Sequence, residues 1–386
     1  MKSALLSLVA LVCVAVASPY DQVPLGADLQ MSHPDFPDYE LTEMRLVELE
    51  GGESLWMSEL EKIQAKARGV KFFDITDTRE LGTVPKLRTH PSFPAPNATE
   101  KVRPILKLLS TKGPEENLRK FSSFRTRHYR SDTGAQSQRW LKDKISEITS
   151  QTSSKSLKSK ISISDFPHSW SQPSIIVRIN GTSTTDDSVV IIGAHQDSTN
   201  MWPFLPAPGA DDDGSGSVTI LESYRALLEA DFHPERAIEF HWYSAEEAGL
   251  LGSQAIAKAY EGRVNVIAMS QFDMTAWVKR GTREQVGLIS DFVDAPLTEF
   301  NKQLVELYLD IPWVSTKCGY ACSDHASWMK AGYPSSFTIE STFEDSNKNI
   351  HSANDRIDVS DEFSFTHMLE FSKLAVAFAV ELAGSK

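Results

Sequence analysis

Three aspartates stand side by side in PGADDDGSG, residues 208–216: Asp211, Asp212 and Asp213. Like charges at this spacing disfavour one another's ionisation unless a cation is near. The flanking proline and glycines turn the backbone, so the run does not read as a solvated acidic helix. Other groups that could serve the same cation are scattered along the chain. They are His195 and Asp197 in SVVIIGAHQDS, Glu246 and Glu247 in AIEFHWYSAEE, Asp273 in VNVIAMSQFDM, and His351 in DSNKNIHSAND. Each has an ordinary reading by itself: a hydrogen-bonded structural histidine, an acidic helix N-terminus, a strand-terminating aspartate, a surface-loop histidine. Together they amount to two histidines, three or more carboxylates and a spare glutamate. That is too many acids for one tetrahedral zinc and the right number for two zinc ions sharing a bridging carboxylate, which the aspartate turn would supply.

Such a centre needs elements that bring the residues to one place. The apolar runs 188–198, 237–247, 264–274 and 335–343 read as buried strands, the first three with polar last residues. SVTILESYRALLEADF (217–232) reads as a helix with Val218, Leu221, Tyr224 and Leu228 on one face. Further helices are expected over 245–260 and 365–383. Strands alternating with helices imply an α/β fold, a largely parallel mixed central sheet with helices on both faces. In open sheets of this kind ligands bind beyond the carboxyl ends of the strands, where His195, Glu246, Glu247 and Asp273 fall. His195 and Asp197 point to the same side. A histidine ligand needs its second ring nitrogen held by an acceptor, and Asp197 is a candidate for that role. Glu246 and Glu247 sit at a strand-to-helix corner and diverge, so one can hold metal while the other faces a metal-bound water. QTSSKSLKSK (151–160) reads as a solvated loop or hairpin.

The ends and the charge place the protein. MKSALLSLVALVCVAVAS, residues 1–18, reads as a secretory signal peptide. No other stretch approaches the apolar length of a membrane span, so a soluble, secreted, extracellular chain is expected, without a membrane partner. Cys13 leaves with the signal; Cys318 and Cys322 remain in CGYAC, which suits a local disulfide or a zinc site. Asn97 (NAT) and Asn180 (NGT) are candidate glycosylation sites. The net charge of −13 argues against nucleic acid as a partner. Residues 19–86 hold 14 acidic and 7 basic residues, about half of that charge in less than a fifth of the chain. They include a broken amphipathic pattern over 41–69 and read as an acidic propeptide that acts as an inhibitor or a folding aid. Residues 87–386 then form the catalytic domain, expected to be a monomer.

In this order, GAHQDS, PGADDDGSG, YSAEEAGLLGS, FDMT, CGYACSDHASW and IHSANDRID resemble the secreted di-zinc leucine aminopeptidases of bacteria and fungi. The resemblance runs from about residue 100 to the C-terminus, and the signal and long propeptide are similar to the fungal branch. It implies that Asp212 bridges two zinc ions, with His195 and Asp273 on one and Glu247 and His351 on the other. It also implies that Glu246 is the general acid/base, that the Asp212–Asp213 peptide is cis, and that Cys318 and Cys322 form a disulfide. Tyr320 would lie near the substrate carbonyl. Met274, Ile289, Ile339, Phe343 and Ile350 would wall a pocket for the N-terminal side chain, favouring leucine, methionine or phenylalanine. The implied reaction is two-metal hydrolysis of the first peptide bond of peptides with a free N-terminus. His325 reads as structural. The rival readings are another zinc hydrolase on the same fold, a carboxypeptidase or a glutaminyl-cyclase-like enzyme, and a secreted binding domain that has lost its chemistry.

Overall fold

Alternation opens the part of the chain that the computed structural model describes, residues 34–37, 39–50, 52–84 and 92–384. In MRLVEL, Arg45 and Val47 turn inward, and the segment forms β1 (Met44–Leu49). It pairs antiparallel with β2 (Ser54–Ser58). Ser58 caps α1 (Glu59–Ala67) through a reciprocal bond pair with Glu61, and β3 (Phe72–Asp74) pairs with the other edge of β1. The broken pattern over 41–69 is therefore a hairpin followed by a helix. Period-two alternation and the glycines at 51 and 52 decide for strands in its first half. The unit's acidic residues are partly used internally. Arg45 Nε reaches Asp74 Oδ2 at 2.9 Å, and Lys62 Nζ reaches the same oxygen at 2.6 Å and Glu59 Oε1 at 3.3 Å, all buried. The expected signal peptide, residues 1–18, lies outside the described residues.

The larger body begins with α2 (Thr99–Leu106), α3 (Lys112–Phe121), α4 (Asp132–Thr152) and α5 (Lys155–Lys158). The single turn of α5 replaces the expected solvated loop, because Ser154 caps it and Leu157 is buried in the main core. Then follow β4 (Ile161–Phe166), β5 (Ser174–Ile179), β6 (Val189–His195), α6 (Gly214–Glu229), β7 (Ala237–Tyr243), α7 (Leu251–Tyr260) and β8 (Val266–Phe272). The chain closes with β9 (Val286–Ile289), α8 (Ala295–Tyr308), β10 (Trp313–Thr316), α9 (His325–Lys330), β11 (Ser335–Ile339) and α10 (Phe365–Ala383). Among the described residues the strands of this body form one sheet in the order β10-β9-β11-β8-β6-β7-β5-β4. β11, β8, β6 and β7 are mutually parallel, and β5 and β4 add antiparallel at one edge.

The fold is thus the expected α/β sheet, largely parallel, with helices on both faces. Along β6 the faces alternate: Val190, Ile192 and Ala194 pack into a core shared with α4, α6, α8 and α10, while Val189 and Ile191 pack with Ile256 of α7 and Trp328 of α9. Residues of α6 are buried on nearly every side, not on one stripe, because the helix lies between the sheet and both α3 and α10. Among the described residues no helix is long and apolar enough to cross a membrane. The central β6 is followed in the chain by its neighbour on one side, β7, and later by its neighbour on the other, β8. Its carboxyl end is therefore a point where strand order reverses, the place such sheets bind ligands.

Candidate metal centre

β6 ends at His195, in register with Tyr243 of β7, and Gly193 is in register with Gln271 of β8, so the segments carrying Glu246–Glu247 and Asp273 emerge beside His195. Gly193 permits that approach: a Cβ there would lie under 3.0 Å from the side chains of Tyr243, Gln271 and Met269. His195 Nε2 lies 3.1 Å from Asp212 Oδ1 and 3.6 Å from Asp273 Oδ1. His351 Nε2 lies 3.1 Å from Asp212 Oδ2 and 3.0 Å from Glu247 Oε2. Two groups suited to a cation result, His195–Asp212–Asp273 and Asp212–Glu247–His351, each with its ligand atoms within 4.8 Å of one another. Asp212 belongs to both and offers a different oxygen to each histidine.

The three adjacent aspartates divide the labour. Asp213 caps α6 by accepting from Gly216 N–H, and it also accepts from the N–H groups of His195 and Met274, tying three elements together. Asp211 accepts from Ala276 N–H, Ser215 Oγ–H and the Asn347 amide. Asp355 in turn accepts from the N–H groups of Asp211 and Asp212, and the Asp212–Asp213 peptide is cis. Two of the three carboxylates are therefore spent on backbone, and the Asp212 carboxylate faces the histidines. Gly209, at φ +54°, closes the turn where a Cβ would meet Ser198 Cβ at 2.4 Å. Asp355 and Asn347 were not among the residues expected to matter. They lie within SAND and DSNKN, which carry no spacing that separates them from ordinary loop residues.

Glu246 lies outside both groups, with Oε2 4.0 Å from His195 Nε2. Burial pushes its carboxyl up. His195 pulls it back, but Glu247, Asp324 and Asp273 add to the rise, leaving it well above the usual carboxylate value. Burial also raises Glu247, yet His351 and Lys66 bring it down to about 2. The Asp197 carboxylate does not simply hold His195. Its oxygens accept from the N–H groups of Glu246 at 3.1 Å and Glu247 at 3.3 Å, and it is the Asp197 main-chain oxygen that lies 3.1 Å from His195 Nδ1, against 3.5 Å for Oδ1. That anchorage also explains why the helix expected from 245 starts only at Leu251. Residues 245–250 are held as a turn with positive φ at Ala245, Gly249 and Leu250, and Gly249 packs directly on Asp74.

Met274, Ile289, Ile339, Phe343 and Ile350 fall in one apolar cluster, together with Phe337, Val293 and the disulfide-bonded Cys318 and Cys322. Ile289 and Ile339 are almost fully buried and serve as core as much as wall. The Tyr320 ring meets Phe343 with centroids 6.3 Å apart. Burial first, then the surrounding carboxylates, hold its hydroxyl well above the usual phenol value. His325 is buried and stacks on Phe337, away from both groups. Asn97 and Asn180 are both exposed.

The N-terminal unit lies over this centre. Phe36, Tyr39 and Ile63 pack with Trp202 and Phe204, and Phe73 and Ile75 with Leu250 and Ala326. A cavity of about 30 Å³ lies between α1 and Glu247, lined by Lys62, Lys66, His128 and Met201 among others. A cavity of about 500 Å³ lies at the opposite end of the strands, between Val266, Pro334 and Arg236, and none of the metal-group residues lines it.

Arg127 supports the centre from beneath. Its buried guanidinium donates to the carbonyls of Gln196, Pro208 and Gly209, which join the end of β6 to the aspartate turn. Arg127→Met should leave these carbonyls without a donor and the nearby Asp355, Asp213 and Asp197 without a counter-charge. Breaking one partner of such a buried charge network costs about 3–5 kcal/mol. Denaturant titration should register that loss, and a loss under about 1 kcal/mol would show that water substitutes freely.

Known proteins are similar in sequence and fold. Residues 174–376 match Peptidase family M28. The "Leucine aminopeptidase 1" of Colletotrichum graminicola is 49% identical over 361 residues, covering 90% of this chain and 88% of its own. That of Phaeosphaeria nodorum is 46% identical over 400 residues, 99% of this chain and 98% of its own. Among solved structures, the LapA aminopeptidase of Legionella pneumophila superposes with a TM-score of 0.75 at 31% identity, covering 86% of this chain and 91% of that one. A glutaminyl cyclase of Porphyromonas gingivalis, at 14% identity and a TM-score of 0.53, shares the fold alone. With the family match spanning every strand of the sheet but the edge strand β4, both groups of metal-suited residues and most of α10, the chain belongs to peptidase family M28 and is a peptide hydrolase.

Proposed function

We propose that the chain is a secreted aminopeptidase that removes leucine and other large apolar residues from the N-termini of peptides, using two zinc ions and Glu246 as general acid/base. The observation that carries this reading is the shared Asp212, one carboxylate oxygen for each histidine. The residues fit a metal pair. His195 Nε2, Asp273 Oδ1 and Glu247 Oε1 are buried and have no hydrogen-bond partner among the described residues. Buried polar atoms are rarely left so, and the imidazole and carboxylate donors suit zinc. When bound, the zinc pair would supply Lewis acidity, activating water and polarising the carbonyl.

The chain's own groups do the rest. Glu246, beside the groups but in neither, takes a proton from the attacking water and returns it to the leaving amine. Tyr320 assists at the developing oxyanion. The wall of Met274, Ile339, Phe343 and Ile350 receives the first side chain, at about 0.8 kcal/mol for each CH₂ it buries. The carboxylates of the site attract a free α-ammonium and thereby select for a chain end. The N-terminal unit is read as a propeptide, bounded near residue 86, that covers the site until it is removed. After its removal, Leu-p-nitroanilide should be cleaved, its N-acetylated counterpart should not, and a chelator should abolish turnover with zinc restoring it. Equal cleavage of the blocked substrate would exclude an aminopeptidase.

A further inference from the structure

We propose that Lys66 is a built-in cation at the second metal group, so that the docked N-terminal unit and a divalent ion bound by Asp212, Glu247 and His351 compete with each other. The inference rests on the reading of that unit as a cover for the site. Lys66 lies in the last turn of α1, and its Nζ is 2.5 Å from Glu247 Oε2 and 2.9 Å from the Glu247 main-chain oxygen. Oε2 is also the oxygen that faces His351 Nε2 at 3.0 Å. The ammonium thus sits on the oxygen turned toward the metal group, while Oε1 of the same carboxylate is buried without a hydrogen-bond partner among the described residues.

Several features aim this lysine. Lys62, one turn earlier, is consumed within the unit by Glu59 and Asp74. Asp74 also grips the segment that carries Glu247: its N–H donates to the Gly249 oxygen at 3.2 Å, and its own oxygen accepts from the Gln254 amide at 3.0 Å. Lys71 places its ammonium 4.3 Å from the centre of the Tyr320 ring. A segment with a net negative charge therefore turns two of its positive groups toward the site, which is the charge complement of a carboxylate-rich metal centre.

Like charges a few ångströms apart in a buried setting repel strongly. A divalent ion at the second group therefore requires Lys66 to withdraw, and α1 carries Lys66. Lys66 donates to Glu247 and to none of His195, Asp212 and Asp273, so an ion can enter the first group without displacing it. Linkage makes the effect reciprocal: the factor by which docking weakens the second ion is the factor by which that ion weakens docking. The unprocessed chain would then hold one ion firmly and be primed for release of its N-terminal unit by the second.

The test uses the full unprocessed chain and the processed protein, stripped of metal and titrated with zinc, with hydrogen exchange of α1 followed in parallel. The second ion should bind the unprocessed chain at least about tenfold more weakly than the processed protein. Lys66→Met should recover most of that difference, and Lys66→Arg, which keeps the charge, should not. Zinc should lower the exchange protection of α1 in the wild-type chain by a matching factor. Equal second-ion affinity in unprocessed and processed protein, or α1 protection that zinc does not move, would overturn the proposal. Unprotected α1 in the zinc-free chain would instead show that the covering reading itself is wrong.

Discussion

Glu246→Ala is expected to lower kcat on Leu-p-nitroanilide by about 10²–10⁴-fold, the usual contribution of a general base, with metal content unchanged at two ions per chain. The split follows from placement. Glu246 belongs to neither group of ligands, yet its carboxylate is 4.0 Å from His195 Nε2 and its side chain is only 11% exposed. On the proposed reading, removing it takes away the proton acceptor and leaves both sets of three donors intact. Its backbone N–H, which the Asp197 carboxylate holds, is untouched by the substitution. Glu246→Gln should behave alike, because the amide keeps shape and polarity but cannot take a proton. Since the lost interaction belongs to the transition state, KM should change little while kcat falls. Metal analysis of the alanine variant showing fewer than about one and a half ions would mean that Glu246 is a ligand and that the base lies elsewhere.

What could be read from residue types alone was the convergence, because it depends on local pattern. Val189 to Ala194 is an uninterrupted apolar run, so it must be a buried strand, and the polar residue that ends it must lie at the sheet's carboxyl edge. The strands ending at Tyr243 and Phe272 read alike, although Glu239 and His241 interrupt the first and Ser270 and Gln271 the second. Pattern fails where a partner distant in sequence decides. Nothing near Arg127 signals that it will meet the carbonyls of Gln196 and Gly209, some 70 to 80 residues away. The late start of α7 depends on Asp197 and Asp74, which hold the preceding turn from two sides. The acidic N-terminal stretch showed its charge but not its fold, since Asp74 and Lys62 become a buried pair only when β3 folds back beside α1. Lys66 carries no local signal of its role for the same reason: its partner is 181 residues ahead.

Asp212→Ala should have the other large effect, the loss of both ions together, whereas Glu247→Gln should cost only one. No other residue is common to the two groups, so only at Asp212 does a single side chain serve both. Turnover should fall to the background of metal-free protein. The fold should survive, because the turn is held by Asp211, Asp213 and Asp355 through backbone N–H groups, and the Asp212 carboxylate anchors none of them. In metal-free protein the deletion also takes a partner from His195 and His351, each 3.1 Å away, which together overcome burial and hold the Asp212 carboxyl well below its usual value. Stability should separate these contributions. With chelator present the variant should still melt cooperatively, at a temperature below that of the wild type because His195 and His351 lose their carboxylate partner. With zinc in excess the wild type should gain stability by RT ln(1 + [Zn]/Kd) for each ion, and the variant should gain almost nothing. If Asp212→Ala kept one tightly bound ion at full stoichiometry, the two groups would be independent and the shared carboxylate would not be the bridge the geometry suggests.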